Sequence, residues 1–361
     1  MRAFGAILAF LLTTTSAWAA DDWQSEWDRT VAAASKEGAI VVCISPGLPR
    51  REFLLKQWKA DYPQIELSVQ SVSGNAFVPQ VATERAAGRY LWDVFDSGPN
   101  TGYSAVKAKL LDPLMPELIL PDSKDEAAWG GWNDAFYDDE KKYVLGLVTD
   151  LESPYYNAAA IAPATVEAQG LKLLLDPAYK GKIVWYDPRL EGPGAPYLAL
   201  FDHVLGPDLL RKLLTDQDPI FVTSLTDAGG ALVRNKAVIA IAGNPRFDLA
   251  SFVNAGVPIN AKSFGHTPET SYRGTDGTTL GVFNQRPHPN AARVFVNWIM
   301  SKRISAMLAT AQGWGSRRLD VPTLDPDQTP IAGAEYFYAQ RPANDTTMRK
   351  WMAELKQIRP Q

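Results

Sequence analysis

Ala39-Ile40-Val41-Val42-Cys43-Ile44 is an unbroken apolar run of strand length, and its reading decides the fold. Trp23, Trp27, Val31 and Ala34 precede it at helical spacing, and Gly38 stands where a helix C-terminus favours glycine. Helix followed by buried strand is the expectation. Ser45-Pro46-Gly47 then turns the chain into an amphipathic stretch carrying Phe53, Leu54 and Trp58, after which Ile65, Leu67 and Val69 alternate as a half-buried strand does. Ser73-Gly74-Asn75 opens a further helix over about 76–87, Gly88 stops it, and 91–95 reads as the next short strand. Such alternation predicts a parallel sheet with helices on both faces.

Working outward, 124–142 turns polar and aromatic, which marks a lobe edge, and 143–148 reads as an extended strand leading to Tyr155-Tyr156-Asn157. A second alternating series follows, with strands at 183–186, 220–222 and 237–242 and helices at 197–205, 209–214 and 228–234. Extended stretches through Lys262 and over 279–283 return the chain to the first lobe, and helices at 290–300, 304–311 and 346–356 close it. The reading is therefore α/β. A chain of 361 residues exceeds what one hydrophobic core usually serves, and two lobes follow. Residues 20–147 with 278–361 are assigned to the first, and 148–277, crossover segments included, to the second.

At the N-terminus Arg2 precedes an apolar run from Phe4 to Leu12, and small and hydroxylated residues lead to Ala17-Trp18-Ala19. This is the pattern of a secretory signal peptide, 1–19, cleaved after Ala19. The run is about half the roughly 20 residues needed to span a bilayer, and no cysteine stands near the cleavage point to take a lipid. A free periplasmic protein is expected.

With 46% hydrophobic and 21% charged residues the composition is that of a globular chain. The net charge of −4, with Lys and Arg scattered, lacks the basic footprint of a nucleic-acid binder. Cys43 is single and lies in the apolar run, so it reads as a small core residue. His203, His266 and His288 are far apart, and no H-x-x-x-H or C-x-x-C pair supplies metal-ligand spacing. Neither metal nor cofactor is expected. G-x-S-x-G, H-E-x-x-H and G-x-x-x-x-G-K-[ST] are absent from the sequence, which weighs against a secreted hydrolase.

Four stretches carry a resemblance. They are, in chain order, Tyr156-Asn157, then 176–183 (DPAYKGKI) with Asp187-Pro188, then 237–245 (AVIAIAGNP), and 288–302 with Gly313 and 318–321 after it. In this order they resemble the extracellular solute-binding proteins of the iron(III), thiamine, polyamine and phosphonate type. The resemblance implies a two-lobed periplasmic-binding-protein fold (type II-like), each lobe a sheet flanked by helices, joined by two crossover strands. It also implies a protein that closes over a small-molecule solute and presents it to an ABC transporter permease in the inner membrane; a monomer is expected.

In open sheets of this kind ligands sit at the carboxyl ends of strands, where helix starts offer unpaired N–H groups. Candidate ligand contacts are therefore Ser45, Ser73, Gly74, Asn75, Ser97 and Gly98 from the first lobe, and the turn from Asp187 to Gly194 with Asn244 and Arg246 from the second. Tyr155, Trp185 and Tyr272 are candidates to wall an apolar part of the ligand. Each has a plainer reading: such serines, glycines and asparagines commonly serve as caps and turns, and Trp185 as core. The expected solute is a small organic anion, a carboxylate or phosphonate, gripped by N–H groups and the planar fork of Arg246. Iron-carrying members resembling this chain use neighbouring tyrosines after the strand matching 237–242, where this sequence has Gly243-Asn244-Pro245-Arg246. Ferric iron remains the alternative through Tyr155-Tyr156, and a ligand-sensing module for a membrane receptor would use the same capture chemistry.

Overall fold

The computed structural model describes residues 17–45, 48–72, 74–190, 192–242, 252, 255–257, 260–274, 278–312, 315–323, 329, 331 and 334–360. The body of the expected export signal, 1–16, lies outside them, as do Ser73, Asn244 and Arg246.

α1 (Ala17–Glu37) ends at Gly38, whose positive φ of 72° suits glycine, and β1 (Ala39–Ile44) follows at once. α2 (Leu48–Asp61), β2 (Glu66–Ser71), α3 (Gly74–Ala86), β3 (Val94–Ser97) and α4 (Pro99–Lys107) continue the alternation. β1 pairs in parallel with β2 on one side and β3 on the other, as the alternating pattern predicts. The third strand lies slightly later than 91–95 because Asp93 is spent on anchoring it: its carboxylate accepts from the Val41 and His288 N–H groups, both at 2.8 Å.

The chain then runs through β4 (Leu111–Asp112), α5 (Pro121–Lys124), α6 (Trp132–Ala135) and β5 (Leu145–Gly146) to β6 (Val148–Glu152). β7 (Tyr155–Asn157), α7 (Pro163–Gln169), β8 (Ile183–Tyr186), α8 (Pro196–Leu205), α9 (Pro207–Thr215), β9 (Ile220–Val222), α10 (Leu225–Val233), β10 (Ile239–Ile241) and β11 (Ala261–Ser263) build the second body. β12 (Tyr272–Gly274) and β13 (Thr279–Phe283) lead back, and α11 (Pro289–Met300), α12 (Lys302–Gln312), β14 (Gly315–Ser316) and α13 (Pro342–Ile358) finish the chain.

Among the described residues two large sheets form, ordered β2-β1-β3-β13-β4 with β5 on β13, and β11-β7-β10-β8-β9. Each has its own apolar core. The first gathers Trp58, Phe295 and Trp298 between α2 and α11, with ring centroids 5.2–5.4 Å apart. The second gathers Trp185, Tyr197 and Phe201 under α8. Cys43 is fully buried in the first body, and burial pushes its thiol far above the usual range.

A third sheet, β12-β6-β14, joins the two bodies. β6 carries the chain from the first large sheet to the second, and β12 brings it back. A third passage was not foreseen: Phe337 bridges Tyr272 in parallel, and Arg273 N–H donates to Phe337 O at 2.7 Å. The C-terminal segment crosses here to place α13 on α8, where Met348, Trp351, Met352 and Leu355 join the second core. Residues 278–361 thus do not all belong to the first lobe. An amphipathic helix packs wherever its apolar stripe finds a partner, and the stripe itself does not say which lobe offers one.

The face of this joining sheet that carries Thr149 and Arg273 holds a charge cluster. Asp134 of α6 receives Arg317 Nη2 at 2.8 Å, Arg341 Nη2 at 3.0 Å and the Tyr338 hydroxyl at 2.6 Å, with Arg273 Nη1 at 3.6 Å. Burial pushes the Asp134 carboxyl up, but the Tyr338 hydrogen bond and the three guanidiniums outweigh it and hold the group below the usual carboxylate range. A depressed acid stabilises the fold above its unfolded pKa, about 3.9, and loses that contribution as pH falls through its folded value. Acid titration is expected to show stability declining below about pH 4. Asp134→Asn flattens that decline in urea melts taken across the same range, and an unchanged acid limb would refute the assignment.

Candidate functional site

β1 and β3 are parallel, so their carboxyl ends meet, and Ser45 Oγ lies 2.9 Å from Ser97 Oγ. Ser97 is further held by Thr279 Oγ1, which donates to its carbonyl at 2.7 Å. Immediately beneath, Asp96 accepts a forked pair from Arg50, Nε at 2.9 Å and Nη2 at 2.6 Å, both partners buried. α4 then starts at Gly98-Pro99 with no side-chain cap, leaving its first N–H groups without an intrahelical acceptor.

In the second body β8 ends at Tyr186, and the chain turns through Gly192-Pro193-Gly194 into α8. Trp185 Nε1 donates to Gly194 O at 3.0 Å and ties the turn to the core. A Cβ at Gly194 would sit inside the van der Waals envelope of the Tyr186 carbonyl oxygen, so only glycine fits. Gly194→Ala is expected to cost about 3 kcal/mol, the upper end of ordinary overpacking, measured by urea unfolding. A loss below 1 kcal/mol would show that the turn relaxes freely.

The two helix starts open on one cavity of about 300 Å³, at the small end of the range for small-molecule clefts. Gly98, Pro99 and Asn100 line it from the first body, and Gly192, Pro193, Ala195 and Pro196 from the second. Its floor is the joining sheet, contributing Asp150 and Glu152 from β6 and Tyr272 and Gly274 from β12. Gln340 and Met348 of the C-terminal passage complete it. Side chains alternate along strands, so Asp150, Glu152, Tyr272 and Gly274 share one face while Arg273 and Thr149 take the other.

Asp150 and Glu152 are 4% and 7% exposed. Burial pushes the Asp150 carboxyl up, and a hydrogen bond with Glu152 draws it partly back. Across the β6–β12 pair, a Cβ at Gly274 would come within 2.5 Å of Asp150 Oδ1, so the glycine leaves the carboxylate its place. The Tyr197 phenol, fully buried against Tyr272, is raised well above its usual range by burial and then by Glu152, Tyr272, Tyr155 and Asp150. Among the described lining residues there is no Lys, Arg or His.

Of the residues singled out from the sequence, the cavity takes Gly98 and Tyr272. Ser45 and Ser97 face each other at the strand ends and are not in its described lining. Gly74 and Asn75 stand at the start of α3. Trp185 is not a wall: it is fully buried, edge-on to Phe201 and Phe221. Asp187 does not appear in the described lining, and Arg189 takes its carboxylate with Nε at 2.9 Å and Nη2 at 2.7 Å. Tyr155 is buried on one face of β7 with Val184 and Ala228, and Tyr156 packs on the other against Phe264, so the neighbouring phenols point apart. Two groups of a strand that face opposite ways cannot grip one metal ion. Among the described residues no group of three or more His, Cys, Asp and Glu gathers to hold one.

Asp150 and Glu152 were missed, although acids two apart in the apolar run 147–152 announce two charges on one strand face. Gly192 and Pro193 lie in the 187–194 turn expected from the sequence to contact ligand, whereas Asn100, Pro196, Gln340 and Met348 gave no signal, since their convergence depends on how the two bodies meet.

A family described as bacterial extracellular solute-binding protein has a sequence model that matches residues 54–334. No curated protein matches the chain by sequence. Among solved structures, iron-bound HitA from Pseudomonas aeruginosa superposes with a TM-score of 0.68 at 15% identity, covering 89% of this chain and 99% of that one. Apo FutA2 from Synechocystis PCC6803 gives 0.64 at 15%, covering 89% and 97%. AfuA from Actinobacillus pleuropneumoniae, with fructose-6-phosphate bound, gives 0.59 at 16%, covering 88% and 99%. At such identities the likeness concerns the fold, two lobes of sheet and helix, which this chain shares.

Proposed function

This chain belongs to the bacterial extracellular solute-binding proteins, and from that membership we propose that it captures a small organic solute bearing an anionic group, a carboxylate or phosphonate, for an ABC import system. The observation that carries the reading is the composition of the cavity, with walls from both lobes and a floor from the strands that join them. A solute there touches both lobes at once. It therefore binds the closed arrangement better than the open one, which is the condition for a ligand to shift that balance. The anionic group belongs at the α4 and α8 starts, where uncapped N–H groups and the positive ends of the helix dipoles meet the cavity.

Export through a signal peptide cleaved after Ala19 is part of the same reading and would give a mature chain of 342 residues beginning at Ala20. Intact mass of protein recovered from the periplasm tests it.

The main test is a thermal and urea-denaturation screen against carboxylates, phosphonates and phosphate esters, followed by small-angle scattering. A true ligand at a hundred times its Kd adds about 2.7 kcal/mol of stability, and the particle should contract as the lobes close. Stabilisation without contraction would place the ligand outside the cleft. Ferric iron is the second reading, favoured by the phenols of Tyr155, Tyr197 and Tyr272 beside Glu152 and Asp150. Ferric ion that stabilises the chain and produces a tyrosinate charge-transfer band would replace the organic anion.

A further inference from the structure

The turn between β8 and α8 supplies the second lobe's wall of the cavity, through Gly192, Pro193, Ala195 and Pro196. Its first residue is fixed on two sides. Asp187 N–H donates to Val222 O of β9 at 2.7 Å, and the Asp187 carboxylate accepts the fork of Arg189 and, at 2.9 Å, the Arg189 N–H. Burial pushes that carboxyl up, but the bonds from Arg189 and the charges of Arg189 and Lys356 outweigh it and hold the group below the usual carboxylate range. Lys356 belongs to α13, so the end of the chain already bears on this turn.

Arg189 does not stop at Asp187. Its Nη1 donates at 2.7 Å to the carbonyl of Arg359, the residue that closes α13. A helix C-terminus presents carbonyls without intrahelical donors and the negative end of the helix dipole, so a guanidinium is stabilised there. Arg359 is held in turn, with Nη1 donating to Pro219 O at 3.3 Å and Nη2 to Asp218 Oδ1 at 2.9 Å. The Arg189 and Arg359 guanidiniums lie 5.0 and 4.9 Å from the centroid of the Phe221 ring, which packs edge-on to Trp185. Trp185 ties down the far end of the turn at Gly194. The opposite end of α13 meets the same cavity directly, through Gln340 just ahead of the helix and Met348 on its second turn. Its 17 residues span about 25 Å, so one helix borders the site at its start and reaches it again at its end through Arg189.

We infer that Arg189 is a positioning residue for the solute site, anchoring the β8–α8 turn to the C-terminal end of α13 so that the last residues of the chain set where the α8 start stands in the cavity. Resting on the cleft-binding reading, this inference adds a part to that machinery which touches no solute. Arg189 is not in the described lining and acts through the turn. Only a planar fork gives a carboxylate two N–H groups and a carbonyl a third, which the single ammonium of lysine cannot reproduce.

The test compares the full mature chain with Arg189→Gln, with a chain ended after Lys356, and with both changes together. Ending after Lys356 removes Arg359 and its carbonyl while keeping Leu355, the last buried residue of the helix. Hydrogen exchange is followed over 187–198, with 39–44 in the first body reporting any global opening. Each single change should raise exchange over 187–198 at least fivefold and leave 39–44 as it was. The two together should do no more than the larger alone, because they break one shared contact. Arg189→Lys should behave as Arg189→Gln does. Any carboxylate, phosphonate or phosphate ester of the screening panel that stabilises the intact chain should bind the shortened chain at least fivefold more weakly, at an unchanged urea midpoint. Effects that multiply in the double variant, or exchange over 187–198 unmoved by the shortening, would overturn the anchoring and leave capture in the cleft intact. Affinity that is unchanged, or that falls only in step with the urea midpoint, would overturn the positioning role. An intact chain that binds nothing in the panel would overturn organic-anion capture and the positioning role with it, even where the exchange cycle comes out as expected.

Discussion

A chain stopped after Arg341 should lose its second lobe. α13 buries Met348, Trp351, Met352 and Leu355 at 4%, 1%, 7% and 0% exposure against that lobe's core. Fully burying such side chains stabilises by roughly 1.5–3 kcal/mol each, so the helix contributes about 6–12 kcal/mol. This is comparable to the roughly 5–15 kcal/mol that holds a whole domain folded. The helix is also fixed by polar contacts, with Trp351 Nε1 donating to Asp202 Oδ1 at 2.8 Å and Arg211 pairing with Glu354. Truncation should give a protein whose near-UV circular dichroism is partly lost and whose second lobe is cut early by protease, while 39–110 stays protected. A truncated chain that melts like the intact one would show that α13 merely decorates the surface.

Asp96→Ala should be nearly as damaging, and for an electrostatic reason. Arg50 and Asp96 have side chains 4% and 0% exposed, and their fork geometry leaves Arg50 no exit to water. Removing one partner of a buried pair strands the other, which costs about 3–5 kcal/mol. Replacing both, as in Arg50→Met with Asp96→Leu, should recover most of that, because two apolar groups of similar volume leave no orphan charge. Asp96 sits one residue before Ser97 and two before Gly98, so the single variant should also weaken solute binding through the α4 start. Urea melts of the two single variants and the double one decide the matter. Single and double variants equally unstable would mean that packing volume, not charge, is what the pair supplies.

Much of this architecture was legible in the residues. Period-two and continuous apolar runs placed β1, β2 and β8, and glycines at 38 and 88 marked where helices end. These signals are local, and local signals survive in a linear text. The site was less legible for the opposite reason. Gly98 and Tyr272 reach the cavity, yet nothing in their neighbours distinguishes them from Trp185, which faces inward from a strand with the same pattern. Asp187 reads from its place after a strand as open to a solute, yet Arg189 is close enough along the chain for its planar fork to turn back on that carboxylate. The lobe that α13 would cover was unreadable, since its stripe suits either body. Only the route past Phe337 decides it.

That route has a mechanical consequence. β6, β12 and the passage through Phe337 lie side by side, cross-linked by main-chain bonds and by the guanidiniums around Asp134. Three tethers laid side by side can flex together about an axis running across them, but any sideways swivel would shear the bonds between them. The jaws are thus left a single degree of freedom. Cutting the outermost tether should let them wander without altering what either one looks like alone.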